Sequence, residues 1–459
     1  MQPTVQPIAS SFRDPSGFVF EKNGSIYRQV NKIFRNDFDL FTGSGCYDHL
    51  VKQELLIPHQ EVNENFSGSD LWYKTLEPQK IPFISYPYEW SFDMLKEAAL
   101  LSLRLVKESM QFGLILKDAT PYNVQWLNGK MIFIDSLSFE KYDSTKPWIA
   151  YRQFCETFLS LLLLMYYSKQ TLQSLMLGWP DGIPIATTKS LLPWRSRFSF
   201  YTFLHIHLHE RFSAASKPAQ GGKMQFTEKK LTNILSSLQS LTESLRWKGK
   251  ETVWENYYSE ARQRNDYLQE KKKIVAGWIA ELPGLKSVID FGANEGEFSL
   301  LAANKNIQTI ATDMDHSAIN NLYKKIKAAN IKNILPLLMD LSHPSPAIGL
   351  NNDERSSFLD RAKCDLAMAL ALVHHLAIGK NIPFEKIAQV FAGRSNYLIV
   401  EFVPKQDEKI QSMLKQKKDI YADYNEENFV RSFAQFFTVV KKQPIASSGR
   451  SLYLMSHHA

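Results

Sequence analysis

Three cysteines, Cys46, Cys155 and Cys364, stand far apart in 459 residues and in no metal-binding spacing. That excludes a zinc ribbon or a disulfide framework and fits a reducing, cytoplasmic setting. No charged-then-apolar leader opens the sequence. The longest apolar run, Phe158 to Tyr167, is too short to span a bilayer, so it predicts a buried helix and no membrane partner. Neither a Gly-x-Ser-x-Gly turn nor a paired-cysteine motif marks a nucleophilic triad. Charge of one sign is scarce: the net charge is +7, and 11 Lys/Arg against 7 Asp/Glu between Lys223 and Val275 supply +4 of it. Such a run is a solvated helical face or a phosphate-facing one, which keeps RNA or another nucleic acid as an alternative partner.

What remains is a globular composition, 44% hydrophobic and 22% charged, on a chain long enough for two or three domains. Its most informative stretch is Val288 to Leu300, VIDFGANEGEFSL. A short apolar run leads to Asp290, and Gly292 and Gly296 flank Ala293-Asn294-Glu295 before a helix-like pattern. Glycine permits the sharp turn and the close approach of a ligand, and Asn294 is of the type that best tolerates left-handed backbone angles after glycine. QTIATDMD then predicts a second strand ending at Asp313, where a carboxylate about 20 residues past the turn can accept from ribose hydroxyls. ILPLLMD ends a third strand at Asp340, CDLAMALALVHHL a fourth at His374 and His375, and YLIVEFV a fifth at Glu401. Helical segments separate them, which predicts a parallel sheet covered on both faces.

From about Ala276 to Ala459 this pattern resembles the class I S-adenosylmethionine-dependent methyltransferases. The resemblance implies a Rossmann-like seven-stranded, mostly parallel sheet closed by an antiparallel hairpin, for which FFTVVKKQP and SLYLMS are the candidates. It implies S-adenosylmethionine as cofactor, with Asp290, Gly292, Asn294 and Gly296 at its methionine and ribose portions. Asp313 falls on the ribose hydroxyls and Asp340 on the adenine amine. His374 and His375 take the place where such enzymes meet substrate, and imidazole can act there as a base. Glu401 is a further catalytic candidate. A small-molecule or sugar-containing acceptor is favoured.

The first half predicts α+β structure: a hairpin turning at Asn23-Gly24, strands in LWYKTLEP and IPFISYPYEW, and a long helix from Trp90 to Phe112. Asp118, Asn123 and Asp135 then follow at spacings of five and twelve. These spacings resemble the catalytic loop and metal-binding aspartate of protein-kinase-like folds, including aminoglycoside phosphotransferases. The resemblance implies Asp118 as base, with Asn123 and Asp135 holding the magnesium of Mg-ATP. The sequence departs from that pattern at Lys117, at Ser136-Leu137 and in having no upstream GxGxxG. The expectation is a degenerate, inactive kinase-like module for binding or regulation, with a magnesium-ATP phosphotransferase as the alternative. The expected domains are 1–222 for this module, 223–275 for a helical connector or lid, and 276–459 for the methyltransferase. The linker is SAASKPAQGG, Thr227 caps the connector helix, and Trp254, Tyr257 and Tyr258 could cover the pocket or pack on the sheet.

Overall fold

The computed structural model describes residues 5, 7–209, 227–249, 265–415, 417–446 and 448–458. Packing divides the chain into two units, Met1–Lys250 with Ala347–Ser356, and Glu251–Pro346 with Ser357–Ala459. The boundary falls inside the expected connector. Ser213 to Gly222, Trp254, Tyr257 and Tyr258 lie outside the described residues.

The first unit opens with the expected hairpin, β1 (Gly17–Lys22) and β2 (Ser25–Asn31). Asn23 and Gly24 turn it with φ of 52° and 79°, the left-handed pair that matches the twist of the two strands. After helices Arg35–Gly43 and Cys46–Lys52 come β3 (His59–Val62) and β4 (Trp72–Pro78), giving an antiparallel sheet ordered β1-β2-β4-β3. IPFISYPYEW is not a strand. Pro82 and Pro87 remove two backbone donors, and Gln125 satisfies the segment instead: its side chain accepts from Ser85 N–H at 2.9 Å and donates to Ser85 C=O at 3.0 Å.

The long helix is Phe92–Met110. Helix Glu228–Ser244, capped as expected by Thr227, lies along it, and the buried Lys96 donates to the carbonyls of Glu243 and Leu245 at 2.8 Å. Short pairs β5 (Leu114–Leu116) with β8 (Phe139–Lys141), and β6 (Val124–Leu127) with β7 (Lys130–Phe133), follow. The apolar run is a buried helix, Leu161 to Met165 all lying inside.

The second unit is a seven-stranded sheet. Its strands are β9 (Ser287–Phe291), β10 (Gln308–Asp313), β11 (Ile334–Leu338), β12 (Cys364–Ala369), β13 (Ser395–Phe402), β14 (Phe437–Ile445) and β15 (Arg450–His457). The order is β11-β10-β9-β12-β13-β15-β14. The first five strands are parallel, and β15 and β14 form the expected antiparallel hairpin. Continuous apolar strands bury both faces: Val288, Leu366, Met368 and Leu454 pack against Val275, Trp278 and Ile279 of helix Asn265–Glu281. The outer strand β14 exposes Lys441 and Lys442, charges that keep a free edge from pairing with other chains. The order reverses between β9 and β12, and ligands of open α/β sheets bind beyond such a point.

Candidate functional site

The backbone makes the cradle at the end of β9. Gly292 and Ala293 both donate to the Thr312 carbonyl, at 2.8 and 2.9 Å, tying the turn to β10. Gly292 has φ of 76°, and a Cβ there would come within 3.3 Å of Leu372. Asn294, also left-handed with φ of 51°, donates its N–H to Asp313 Oδ2 at 2.8 Å. A Cβ on Gly296 would sit 2.7 Å from Leu322, so this glycine lets helix His316–Ala328 pack against the loop, and it does not line the cleft.

Beside this loop opens a cleft with about 1120 Å³ of space, its mouth and open solvent included. Asp290, Gly292, Asn294, Asp313, Asp340 and His375 all line it. Asp290 accepts from Ser299 Oγ at 2.7 Å, and burial pushes its carboxyl up to about 6. Burial likewise lifts Asp313 to about 6, although the N–H groups of Asp315 and Asn294 oppose the shift. Asp340 lies two residues past β11. Its Oδ1 accepts from Ser342, and its Oδ2 stands 3.7 Å from Lys380 Nζ.

The two histidines do not end β12. They lie five and six residues beyond it, where a π-helical turn, His375–Gly379, begins. Their rings are 4.0 Å apart, yet only His375 reaches the cleft. His374 is 2% exposed with no hydrogen-bond partner on Nδ1 among the described residues, and burial drives its pKa well down. Burial, with Arg450 and Lys409 adding to it, lowers His375 to about 4. At neutral pH it is an uncharged imidazole.

Glu401 corrects the sequence expectation more strongly. It is fully buried and does not line the cleft. Lys271 Nζ lies 2.6 Å from it, Tyr267 donates to it at 2.6 Å, and Arg450 stands at 3.4 Å and also holds Asp407. Burial pushes Glu401 upward, but Lys271 and Arg450 outweigh that and hold it below the usual carboxylate range. Lys271 and Tyr267, which sequence reasoning missed, reach the cleft from helix Asn265–Glu281. Their signal was present. Tyr267, Lys271, Val275 and Trp278 follow helical spacing, which puts one lysine of Lys271-Lys272-Lys273 on the apolar face.

In the first unit, Asp118, Asn123 and Asp135 come together as their spacing suggested. Asn123 donates to Asp118 at 3.1 Å, and Gln153 at 2.6 Å. Burial, then the neighbouring Asp135, raises Asp118. Asp135 is committed elsewhere: Arg28 Nη1 lies 2.8 Å away, and Leu137 N–H and Ser138 Oγ also bind it. Arg28 comes from β2 and also meets Asp14. Among the described residues no group of three or more His, Cys, Asp or Glu side chains could hold a metal ion.

No protein-family model matches the chain. It is 34% identical over 460 residues to nodulation protein NoeA of Rhizobium meliloti (strain 1021), covering 97% of this chain and 95% of that protein. Among solved structures it is similar to the bifunctional kinase-methyltransferase WbdD, at 17% identity and a TM-score of 0.29, over 43% of this chain and 39% of that one. The match thus spans well under two thirds of WbdD. It is also similar to magnesium protoporphyrin IX methyltransferase (ChlM) from Synechocystis PCC 6803 with bound SAM, at 16% identity and a TM-score of 0.30. That match covers 42% of this chain and 80% of that one.

Proposed function

The chain belongs to the family of the nodulation protein NoeA, and we propose that its second unit transfers a methyl group from S-adenosylmethionine to a small-molecule or sugar-containing acceptor. The observation that carries this reading is the bond from Asn294 N–H to Asp313 beside an open cleft at the switch point of the sheet. One hydrogen bond fixes the glycine loop against the second-strand carboxylate, so both can meet the same nucleoside.

The cleft suits the cofactor. Gly292 and Asn294 leave backbone on its wall, Asp313 offers acceptors to ribose hydroxyls, and Asp340 offers one to an adenine amine. Asp290 faces the same space and would hold the methionyl ammonium. When bound, S-adenosylmethionine supplies a methyl group on a positively charged sulfur. The chain's task is to exclude water, align an acceptor and take its proton where it carries one. His375 is the residue placed for that proton, since its ring is neutral and lines the cleft. His374 and Glu401 are support: the first shapes the turn, the second anchors Lys271 and Arg450.

Titration calorimetry with S-adenosylhomocysteine tests the reading on the full chain. Binding that is lost in Asp313→Ala is expected. Absence of heat at millimolar ligand would sink it.

For the first unit we propose a non-catalytic, kinase-like binding or regulatory module. The Arg28–Asp135 ion pair supports it, because a guanidinium stands against the carboxylate that a magnesium ion would need.

A further inference from the structure

One surface of the first unit has its polarity turned inside out. From Trp194 to Phe203 the small hydroxyl side chains Ser196 and Thr202 go in and the large apolar ones go out, while Leu192 just before them is buried. Ser196 and Thr202 are fully buried; Ser196 Oγ meets His207 Nε2 at 2.9 Å, and Thr202 Oγ1 donates to Ser199 Oγ at 2.9 Å. Leu191, Trp194, Phe198 and Phe200 are meanwhile 56%, 72%, 75% and 72% exposed. The segment is therefore anchored, and its aromatic side chains are held outward by that anchoring. Trp194 and Phe198 pack edge to face at 5.0 Å, as do Phe200 and Tyr201 at 5.5 Å. Water alone selects the opposite arrangement, so a cluster of this kind marks a contact surface.

Its charge identifies the occupant. From Gly182 to His209 the chain has no Asp or Glu, while Lys189, Arg195 and Arg197 interleave with the aromatics. Arg195 and Arg197 are both exposed, and Arg195 is steadied by the Tyr167 carbonyl at 2.7 Å. Tryptophan, phenylalanine and tyrosine beside arginine, without acids, is the combination that suits the boundary between lipid headgroups and acyl chains. The rings enter the apolar layer, and the guanidinium groups meet phosphate.

We propose that the surface from Leu191 to Phe203 docks the protein on the face of an anionic lipid bilayer. This is a peripheral contact: no helix among the described residues is long and apolar enough to cross a membrane. It departs from the sequence expectation of no membrane partner, because exposure of these aromatics is a property of the fold.

Flotation of the full chain with phosphatidylcholine vesicles, with and without phosphatidylglycerol, tests the proposal. Binding only to the phosphatidylglycerol vesicles is expected, weakening with salt. Arg195→Gln/Arg197→Gln should weaken it by about fivefold per arginine, roughly 25-fold in all. Trp194→Ala/Phe198→Ala should weaken it by more than about tenfold, with an unchanged melting temperature because both side chains are exposed. No flotation with either vesicle, or flotation unchanged in the aromatic variant, overturns the proposal. Concentration-dependent self-association in ultracentrifugation that the aromatic variant abolishes, without vesicle binding, overturns it in favour of a second copy.

Discussion

Lys271 Nζ lies 2.6 Å from Glu401, with side-chain exposures of 4% and 0%. Removing one partner of such a pair leaves a charge stranded out of water, at a cost of about 3–5 kcal/mol, whereas replacing both by apolar groups is often near neutral. Glu401→Gln is expected to lose most of that amount in urea denaturation, and Lys271→Met/Glu401→Leu to recover a large part. A Glu401→Gln protein of undiminished stability would return Glu401 to the list of catalytic candidates.

The cleft carboxyls give a pH signature. Asp290 and Asp313 are raised from 3.8 to about 6 in the folded protein, so between those values the folded state holds more protons than the unfolded one. Their contribution to stability is therefore full below about pH 4 and declines as pH rises to about 6. Ligand binding runs the other way, because ribose hydroxyls and an ammonium favour the ionised forms. Calorimetry with S-adenosylhomocysteine should show affinity about tenfold or more weaker at about pH 5 than at about pH 7.5. In Asp313→Asn the slope should be shallower. Equal affinity at both pH values would remove these groups from the site.

His375 and His374 should separate cleanly. His375→Asn is expected to cut methyl transfer by about 10²–10⁴-fold while leaving S-adenosylhomocysteine affinity near its original value. The measurement is transfer of labelled methyl into an acceptor-containing extract. Because His375 is lowered to about 4, no acid limb from its protonation should show above about pH 5. His374→Gln should act on stability first, since that ring is buried away from the cleft.

For the first unit, magnesium-ATP is expected to leave the melting temperature of the full chain where it is. The Arg28 guanidinium already neutralises Asp135 at 2.8 Å. A rise in melting temperature that disappears in Asp135→Ala would instead support phosphotransfer.

How much of this was legible follows from the range of the interactions. The loop from Gly292 to Gly296 and the tip at Asp313 are dictated by local backbone needs, and short apolar runs place their strands, so both were readable. Lys271 was not, because a lysine in a charged run looks solvated until Glu401, far along the chain, is folded against it. Arg28 escaped for the same reason. The histidines were read one element too early, since ALALVHHL continues the apolar pattern after β12 has stopped at Ala369. Pro82 and Pro87 did carry a local warning against the strand expected there.

The ten residues Ala347–Ser356 belong by their packing to the first unit, where Glu354 binds Arg13 at 2.6 Å and Arg355 lies over the Tyr122 ring at 3.8 Å. N-terminal domains ordinarily finish folding on the ribosome before later ones emerge. Here the last piece of the earlier portion is made only after three strands of the following sheet have been translated. No single cut through the polypeptide can yield both parts whole.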